Sequence, residues 1–269
     1  MESVIAAAVQ LTSTADRKRN LDRALSLIDL AASRGAKLVA LPENIDFMGP
    51  EKDKLHGAEP LDGATLVAFA AKAKEREIHL LAGSIGETSP VKERIHNTSV
   101  LFGPDGTRLA VYRKIHLFDV DIPDGARYRE SELVLPGSEP VVAQTSFARI
   151  GLSICYDLRF PELYRALAAS GAEILAVPAA FTLHTGKDHW EVLLRARAIE
   201  NTAYVIAPAQ VGRHSENRLT YGNAMIVDPW GAVIARASDG EGFCMAELSP
   251  IVLDKVRREI PSLKHRRLK

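Results

Sequence analysis

The segment 150–162 constrains the fold most, because it joins an apolar strand to the start of a helix through a short polar turn. Apolar and small residues alternate up to Ile154, as in a buried strand, and Pro161 suits the first turn of a helix. Cys155 therefore falls at the carboxyl end of a strand, where ligands bind in open α/β sheets. This position suits a nucleophile for acyl transfer, although a free cysteine is more often a small buried hydrophobe.

The same alternation of short strands and helices runs along the chain. Apolar runs predict strands at 4–9, 38–41, 80–82, 174–177 and 204–206, helical spacing predicts helices at 21–31, 64–75 and 190–198, and turn signals at 104–106 and 228–231 predict hairpins. The polar segment 115–140 predicts a long functional loop, with strands resuming at Ile150. This order of elements predicts an α/β fold in a single domain that spans 1–269.

Two segments of the chain resemble each other. Residues 31–42 (AASRGAKLVALP) and 168–178 (AASGAEILAVP) both read as a helix end, a glycine, a buried strand and a proline. The similarity predicts a duplicated helix–strand unit and a pseudo-symmetric sandwich, although such units also recur by chance in α/β proteins. The two segments differ after the proline, where Glu43 follows the first and Ala179 the second.

Composition excludes several classes of function. Lys and Arg together number 34, as do Asp and Glu, so no net charge favours nucleic acid or a membrane surface. The chain opens on a strand without a basic leader, no apolar run reaches transmembrane length, and two cysteines cannot form a disulfide framework. We therefore expect a cytoplasmic protein. Nucleotide-binding glycine motifs and metal-ligand spacings are absent, so we expect no cofactor and no metal.

Three reactive side chains follow predicted strands: Glu43, Lys114 and Cys155. Acyl transfer to a thiol needs a base that forms the thiolate and a donor that stabilises the developing oxyanion. A carboxylate can act as the base, and a lysine can be the donor. Taken singly, the glutamate is typical of a solvated cap and the lysine of a surface charge. The prediction of acyl transfer therefore depends on all three residues occurring at strand ends.

The chain resembles the nitrilase superfamily of carbon–nitrogen hydrolases over nearly its whole length. The motifs that carry the resemblance are 41–44 (LPEN), 112–119 (YRKIHLFD) and 151–162 (GLSICYDLRFPE), in that order. The resemblance implies a four-layer α-β-β-α sandwich. It also implies pairing of sandwiches into a homodimer or a higher homo-oligomer.

The resemblance further implies a role for each matching residue. Glu43, Lys114 and Cys155 would form the catalytic triad, and Glu130 would be a second active-site glutamate that orders the lysine and the substrate. The backbone N–H of Tyr156 would complete the oxyanion hole with Lys114.

Within the superfamily, the chain is most similar to an amidase branch that acts on deaminated glutathione. The runs that carry this similarity are 118–123, 189–200, 209–214 and 228–231. Phe181 and Thr182 match a loop beside the substrate pocket, whereas 221–224 (YGNA) departs from the branch, which usually has His and Ser after the Gly. The expected substrate is a small, anionic, linear amide, with deaminated glutathione favoured. An α-ketoglutaramate amidase and a nitrilase or N-carbamoyl hydrolase are the alternatives.

An anionic substrate needs a cation in its pocket, and arginine is best suited to bidentate recognition of a carboxylate. Four arginines near the matching motifs are available, namely Arg159, Arg195, Arg197 and Arg213. The sequence does not choose among them. The polar loop 119–132 is predicted to be a lid that excludes water during acylation.

Two other classes of function compete with this hypothesis. A papain-like hydrolase would need a histidine base, for which His116, His184 and His189 are available, but the cysteine context of that class is absent. A non-catalytic partner-binding protein would not need the intact set of reactive residues, so an enzyme is favoured.

Overall fold

The computed structural model describes residues 1–121, 127–216 and 218–268. The helices are α1 (Arg17–Ser33), α2 (Glu51–His56), α3 (Ala64–Arg76), α4 (Pro161–Ala169), α5 (Leu183–Asn201) and α6 (Pro250–Glu259). The strands are β1 (Val4–Leu11), β2 (Leu38–Ala40), β3 (His79–Leu81), β4 (Ile85–Thr88), β5 (Ile95–Phe102), β6 (Arg108–Arg113), β7 (Asp119–Asp121), β8 (Arg127–Arg129), β9 (Val141–Gln144), β10 (Arg149–Leu152), β11 (Ile174–Ala176), β12 (Tyr204–Ala207), β13 (Ala209–Ser215), β14 (Arg218–Tyr221), β15 (Met225–Val227), β16 (Val233–Arg236) and β17 (Gly242–Leu248).

Two sheets form the centre of the molecule. The first has the order β14-β13-β1-β2-β3-β5-β4, with β17 also paired to β1 and β6 to β5. The second has the order β16-β15-β12-β11-β10-β9. Helices α1 and α3 pack on the first sheet, whereas α4 and α5 pack on the second. The layers therefore follow the α-β-β-α order that the resemblance implies.

Strand β1 lies between two hydrophobic cores. Ala6 and Ala8 belong to the core between the sheets, whereas Ala7 and Val9 belong to the core under α1 and α3. Successive side chains of a strand point to opposite faces, so a strand covered on both faces must be apolar throughout. The uninterrupted apolar run at the start of the chain is therefore the signature of a central strand.

The two similar segments occupy corresponding places in the two sheets. Gly35 ends α1 before β2, and Gly171 ends α4 before β11. Both glycines have a positive φ, of 94° and 87°, which a residue with a Cβ rarely adopts. Strand β2 runs parallel to β1, and β11 runs parallel to β10. Each strand thus delivers the residues after its proline to the same end of the sandwich.

The segment 115–140 differs from the expected irregular loop. Strands β7 and β8 pair in an antiparallel hairpin, and a 3₁₀ turn follows at Glu130–Glu132. Residues 122–126, at the centre of the predicted lid, lie outside the described part of the chain. The expectation that strands resume at Ile150 is wrong, because β9 pairs with β10 as the edge of the second sheet. An edge strand this short carries only a weak hydrophobic pattern.

Candidate active site

A cleft that opens to solvent lies where the strands deliver the predicted reactive residues. Its lining includes every predicted site residue, namely Glu43, Lys114, Glu130, Cys155, Tyr156, Phe181 and Thr182. Residues from both sheets and from the β7–β8 hairpin meet there. The structure therefore brings together side chains that are more than a hundred positions apart in sequence.

Glu43 is held in place by groups from both sheets. The residue is 3 % exposed and follows β2 and Pro42. Its Oε1 accepts hydrogen bonds from Asn97 Nδ2 and Lys114 Nζ, each at 2.9 Å. Its Oε2 accepts one at 2.9 Å from the N–H of Ala180, in the loop that follows β11 of the second sheet. These three bonds fix the carboxylate in one orientation.

Lys114 lies between two carboxylates. Its Nζ donates to Glu43 Oε1 at 2.9 Å and to Glu130 Oε2 at 2.8 Å, and the residue is 2 % exposed. Burial opposes the charged form, but the carboxylates of Glu130 and Glu43 outweigh it and hold the pKa of Lys114 well above its usual value. The ammonium is therefore a fixed positive charge, unsuited to act as a base.

Asn97 joins the two glutamates, and sequence reasoning missed it. Its Nδ2 donates to Glu43 Oε1 and, at 3.1 Å, to Glu130 Oε1, while its backbone oxygen accepts from the N–H of Lys114. It lies on β5 in the polar run 96–99, so the pattern of the strand does not distinguish it from its neighbours and gives no signal of its place in the site.

Cys155 begins a 3₁₀ turn immediately after β10 and has a φ of +48°, in the left-handed region. Its N–H donates to the oxygen of Pro178 at 2.9 Å. Burial raises the pKa of the Cys155 thiol well above its usual value, the neighbouring Glu43 carboxylate raises it further, and Lys114 lowers it. The sulfur is therefore a neutral thiol at rest and needs a base before it can attack.

Asp157 ties the turn of Cys155 to the segment that carries Lys114. It is fully buried, and its Oδ2 accepts from the Ile154 N–H at 2.8 Å and from the Tyr112 hydroxyl at 2.6 Å. Its Oδ1 accepts from the N–H of His116 and lies 2.7 Å from the His116 ring. One carboxylate thus sets the distance between two segments of the cleft.

The predicted substrate arginines occupy different surroundings. Arg159 lines the cleft, with its guanidinium 5.2 Å from the centre of the Phe181 ring. Arg197 is buried and donates to Leu158, and Arg195 and Arg213 donate to backbone oxygens outside the cleft lining. Arg159 is therefore the one member of the predicted set that lines the cleft. Lys54 and Arg218 also line it and were missed.

The papain-like alternative finds no support in this geometry. Among the described residues that line the cleft, there is no histidine. His116 stacks on Phe160, with the ring centres 3.7 Å apart, and contacts Asp157. The titratable carboxylate beside the Cys155 thiol is that of Glu43.

The β7–β8 hairpin forms one wall of the cleft. Tyr128 and Arg129 from β8, with Phe118 before the hairpin, belong to the lining. The Phe118 N–H donates to Glu130 Oε2 at 2.7 Å, which connects this wall to Lys114. The location suits a lid, although closure remains a prediction.

No helix among the described residues is both long and apolar enough to cross a membrane. No cluster of three or more His, Cys, Asp or Glu side chains in that part of the chain is arranged to hold a metal ion.

Comparison with known proteins places the chain in a family. The carbon–nitrogen hydrolase family model matches residues 5–258. A protein of Synechocystis named deaminated glutathione amidase is 51 % identical, over 99 % of both chains. An omega-amidase NIT2 of Xenopus tropicalis is 39 % identical, over 96 % of this chain and 93 % of the relative.

Solved structures give the same answer. Nit3 of Saccharomyces cerevisiae, a member of branch 10 of the nitrilase superfamily, superposes with a TM-score of 0.89 at 34 % identity, over 99 % of this chain and 97 % of that one. A mutant amidase of Nesterenkonia, with the acetamide moiety of fluoroacetamide covalently added at its active-site cysteine, has a TM-score of 0.81 at 26 % identity, over 98 % and 94 %. The sandwich prediction is thereby confirmed. The chain belongs to the carbon–nitrogen hydrolase family of the nitrilase superfamily.

Proposed function

We propose that this hydrolase cleaves a small, anionic, linear amide through a thioester on Cys155, with deaminated glutathione as the favoured substrate. One observation carries the proposal. The buried Glu43–Lys114 pair lies beside the Cys155 thiol in a cleft whose lining holds five cations and only two carboxylates. Such a lining attracts an anion to a nucleophile that already has its base.

In the acylation step, Glu43 removes the proton from the Cys155 thiol, and the sulfur attacks the amide carbonyl. A carbon–sulfur bond forms, and the carbonyl oxygen takes the negative charge. The Lys114 ammonium and the Tyr156 N–H are the proposed donors to that oxyanion. When the intermediate collapses, the carbon–nitrogen bond breaks and Glu43 gives its proton to the leaving nitrogen.

In the second step, Glu43 removes a proton from water, which attacks the thioester carbonyl. The carbon–sulfur bond breaks, the acid leaves, and the proton returns from Glu43 to the sulfur. Glu43 is unprotonated again at the end of the cycle. The three hydrogen bonds that fix its carboxylate support this double use, because they keep it aimed at the same point in both steps.

The relatives support the chemistry and the substrate class. The Synechocystis relative is named for deaminated glutathione, and the Nesterenkonia structure carries a covalent adduct on its cysteine. Deaminated glutathione has a carboxylate on each side of its scissile amide, which agrees with the cationic lining.

The experiment compares kcat/KM for three compounds: deaminated glutathione, an analogue with both carboxylates capped as amides, and a simple aliphatic nitrile. We expect deaminated glutathione to be best and the capped analogue to be at least about tenfold worse, because each charged hydrogen bond contributes roughly 1.5–3 kcal/mol. Cys155→Ala should abolish turnover, whereas Cys244→Ala, which removes the other buried thiol, should not. A nitrile that is the best substrate, or a capped analogue that improves turnover, would overturn the proposal.

An amidase that releases ammonia from α-ketoglutaramate is the second candidate, favoured by the omega-amidase relative. This compound has one carboxylate and a primary amide, so its kcat/KM measured beside that of deaminated glutathione decides between the two.

We also propose that the enzyme works in the cytoplasm as a homodimer, without a nucleic acid or membrane partner. Two buried free thiols suit a reducing compartment, and equal numbers of basic and acidic residues give no general attraction to polyanions.

A further inference from the structure

The five cations that line the cleft divide into two groups. Lys114 pairs with Glu43 and Glu130, and Arg129 pairs with Asp121. The remaining three make no ion pair with a carboxylate among the described residues; they are Lys54, Arg159 and Arg218. Positive charges at a cleft that have no carboxylate in direct contact are positioned to bind an anion.

Lys54 has hydrogen-bonding capacity to spare. Its Nζ donates to Asn44 Oδ1 at 2.6 Å, and an ammonium group has three donors. Burial lowers the pKa of Lys54 and the Arg218 guanidinium lowers it further, whereas the carboxylates of Glu130, Asp46 and Glu43 oppose that shift. Lys54 and Arg218 line the same cleft, where a bound carboxylate would relieve the repulsion between their charges.

Arg218 reaches the cleft from the edge of the first sheet. It is the first residue of β14, and the Tyr221 N–H of the same strand donates to the oxygen of Phe181. A bridge between Thr220 and Thr182 holds the strand against the loop beside the cleft. The Arg218 guanidinium, partly buried, has no hydrogen-bond acceptor among the residues that the structure describes.

Arg159 belongs to a different wall. It ends the 3₁₀ turn of Cys155, on the side of the second sheet, and its guanidinium lies over the rings of Phe181 and Tyr156. Lys54 and Arg218 come from α2 and from the first sheet. The unpaired cations thus approach the cleft from two directions.

We propose that Lys54 and Arg218 form a second carboxylate subsite, separate from Arg159, so that the enzyme selects amides with a carboxylate on each side of the scissile bond. This inference rests on the proposed function, which it extends from an anionic substrate to a dianionic one. A guanidinium binds one carboxylate through two parallel hydrogen bonds, and the spare donors of Lys54 add a third.

The test uses deaminated glutathione and two analogues that each lack one carboxylate. The first replaces the keto-acid end by a 4-oxopentanoyl group, and the second ends in an N-methylamide in place of glycine. In the wild type each deletion should lower kcat/KM about 10- to 100-fold, as expected for loss of a charged hydrogen-bond pair. In the double variant Lys54→Gln/Arg218→Gln, one of the deletions should cost less than about twofold, because both of its partners are already gone. Each single variant should reduce the cost of that same deletion in part. In Arg159→Gln, the other deletion should lose its effect.

Matched controls lie beside each residue. Lys52→Gln changes an exposed lysine of α2, and Arg213→Gln changes an arginine of β13, the strand next to β14. In both variants, each carboxylate deletion should lower kcat/KM by the same factor as in the wild type. Thermal unfolding midpoints of all variants identify any loss that comes from folding rather than from the subsite.

The inference is overturned if, in Lys54→Gln and Arg218→Gln, each carboxylate deletion still lowers kcat/KM as much as in the wild type. It is also overturned if these variants become insensitive to the same deletion as Arg159→Gln. Calorimetric titration of the three compounds into the Cys155→Ala chain, with and without Arg218→Gln, separates this failure from a failure of the proposed function. If the wild type hydrolyses none of the amides but the titration shows the carboxylate-specific loss, the reaction is wrong and the subsite stands.

Discussion

At the scale of single residues, the Glu130 carboxylate links the charge of Lys114 to the stability of the fold. Burial would raise its pKa, but Lys114, the charge of Lys54 and the Phe118 N–H reverse that effect and lower it to about 2. A group whose pKa falls on folding stabilises the native state above its unfolded pKa, here 4.5. That stabilisation is lost as the pH falls from the unfolded value through the folded one.

We therefore expect Glu130→Gln to lower the free energy of unfolding by about 3 kcal/mol at pH 7, from a shift of between two and three pH units. The gap to the wild type should shrink below pH 4.5 and close near pH 2. Urea unfolding of both chains at pH 7, 5 and 3 measures it. Glu132→Gln, an exposed glutamate of the same turn, is the control and should leave stability unchanged. A gap that is constant with pH would contradict the linkage.

At the scale of elements, the turn after β10 and the segment after β6 act as one unit because Asp157 bonds to both. The left-handed conformation of Cys155 puts a cost on the turn that these bonds must offset. The relative positions of the thiol and of Lys114 depend on the same carboxylate.

Asp157→Asn tests this coupling. The amide nitrogen replaces either Oδ2, where it faces the Ile154 N–H and the Tyr112 hydroxyl, or Oδ1, where it faces the His116 N–H. Either way a buried N–H is left without an acceptor, at a cost of about 1–3 kcal/mol. We expect a lower thermal midpoint and a fall in kcat of at least about tenfold, with a smaller change in KM because the substrate cations are untouched. Asp254→Asn, a change at an exposed position of α6 away from the cleft, is the control. An unchanged kcat in a destabilised chain would make Asp157 purely structural.

Elements with a strong periodic pattern were predictable, and those defined by distant partners were not. Strand β2 and helix α3 follow from local apolar spacing alone. The β7–β8 hairpin was missed, although its aspartates face arginines across the strands, at Asp121 and Arg127 for example. That charge pattern is informative only once the register is known.

The same limit applies inside the site. Glu43, Lys114 and Cys155 could be placed at strand ends, where the topology of a sheet gathers side chains. Lys54 lies in a short, highly charged helix that reads as solvent-exposed, and only packing of the whole chain brings it to the cleft. Arg197 is an arginine near a matching motif, as a substrate-binding residue would be, but its guanidinium donates to the oxygen of Leu158 and to Glu200 and not to the cleft.

At the scale of the whole molecule, one apolar patch suits the proposed dimer. Val192 and Ile199 lie seven residues apart on α5 and are 66 % and 50 % exposed. Arg195 donates to the oxygen of Gly231 at 2.7 Å, which brings the turn of Trp230, 56 % exposed, to the same face. Large apolar side chains grouped on a surface usually mark an interface.

We expect sedimentation equilibrium to give twice the 29.3 kDa of one chain. Trp230→Glu should shift the equilibrium to the monomer, because a carboxylate cannot be buried in an apolar interface without a partner. Val91→Glu, at an apolar position that is also exposed but lies in another loop, should remain dimeric. A wild-type chain that is monomeric at all concentrations would reject the dimer, and a dimer that survives Trp230→Glu would move the interface elsewhere.

The bond from the Ala180 N–H to Glu43 has a consequence for how the chain becomes active. Cys155 follows a strand of the second sheet, and Glu43, its proposed base, follows a strand of the first. A displacement of one sheet over the other by a single residue, about 3.3 Å, would separate the Cys155 thiol from the Glu43 carboxylate while leaving each sheet intact. We therefore expect the proposed chemistry to require the docked pair of sheets, so that neither half of the sandwich is active alone.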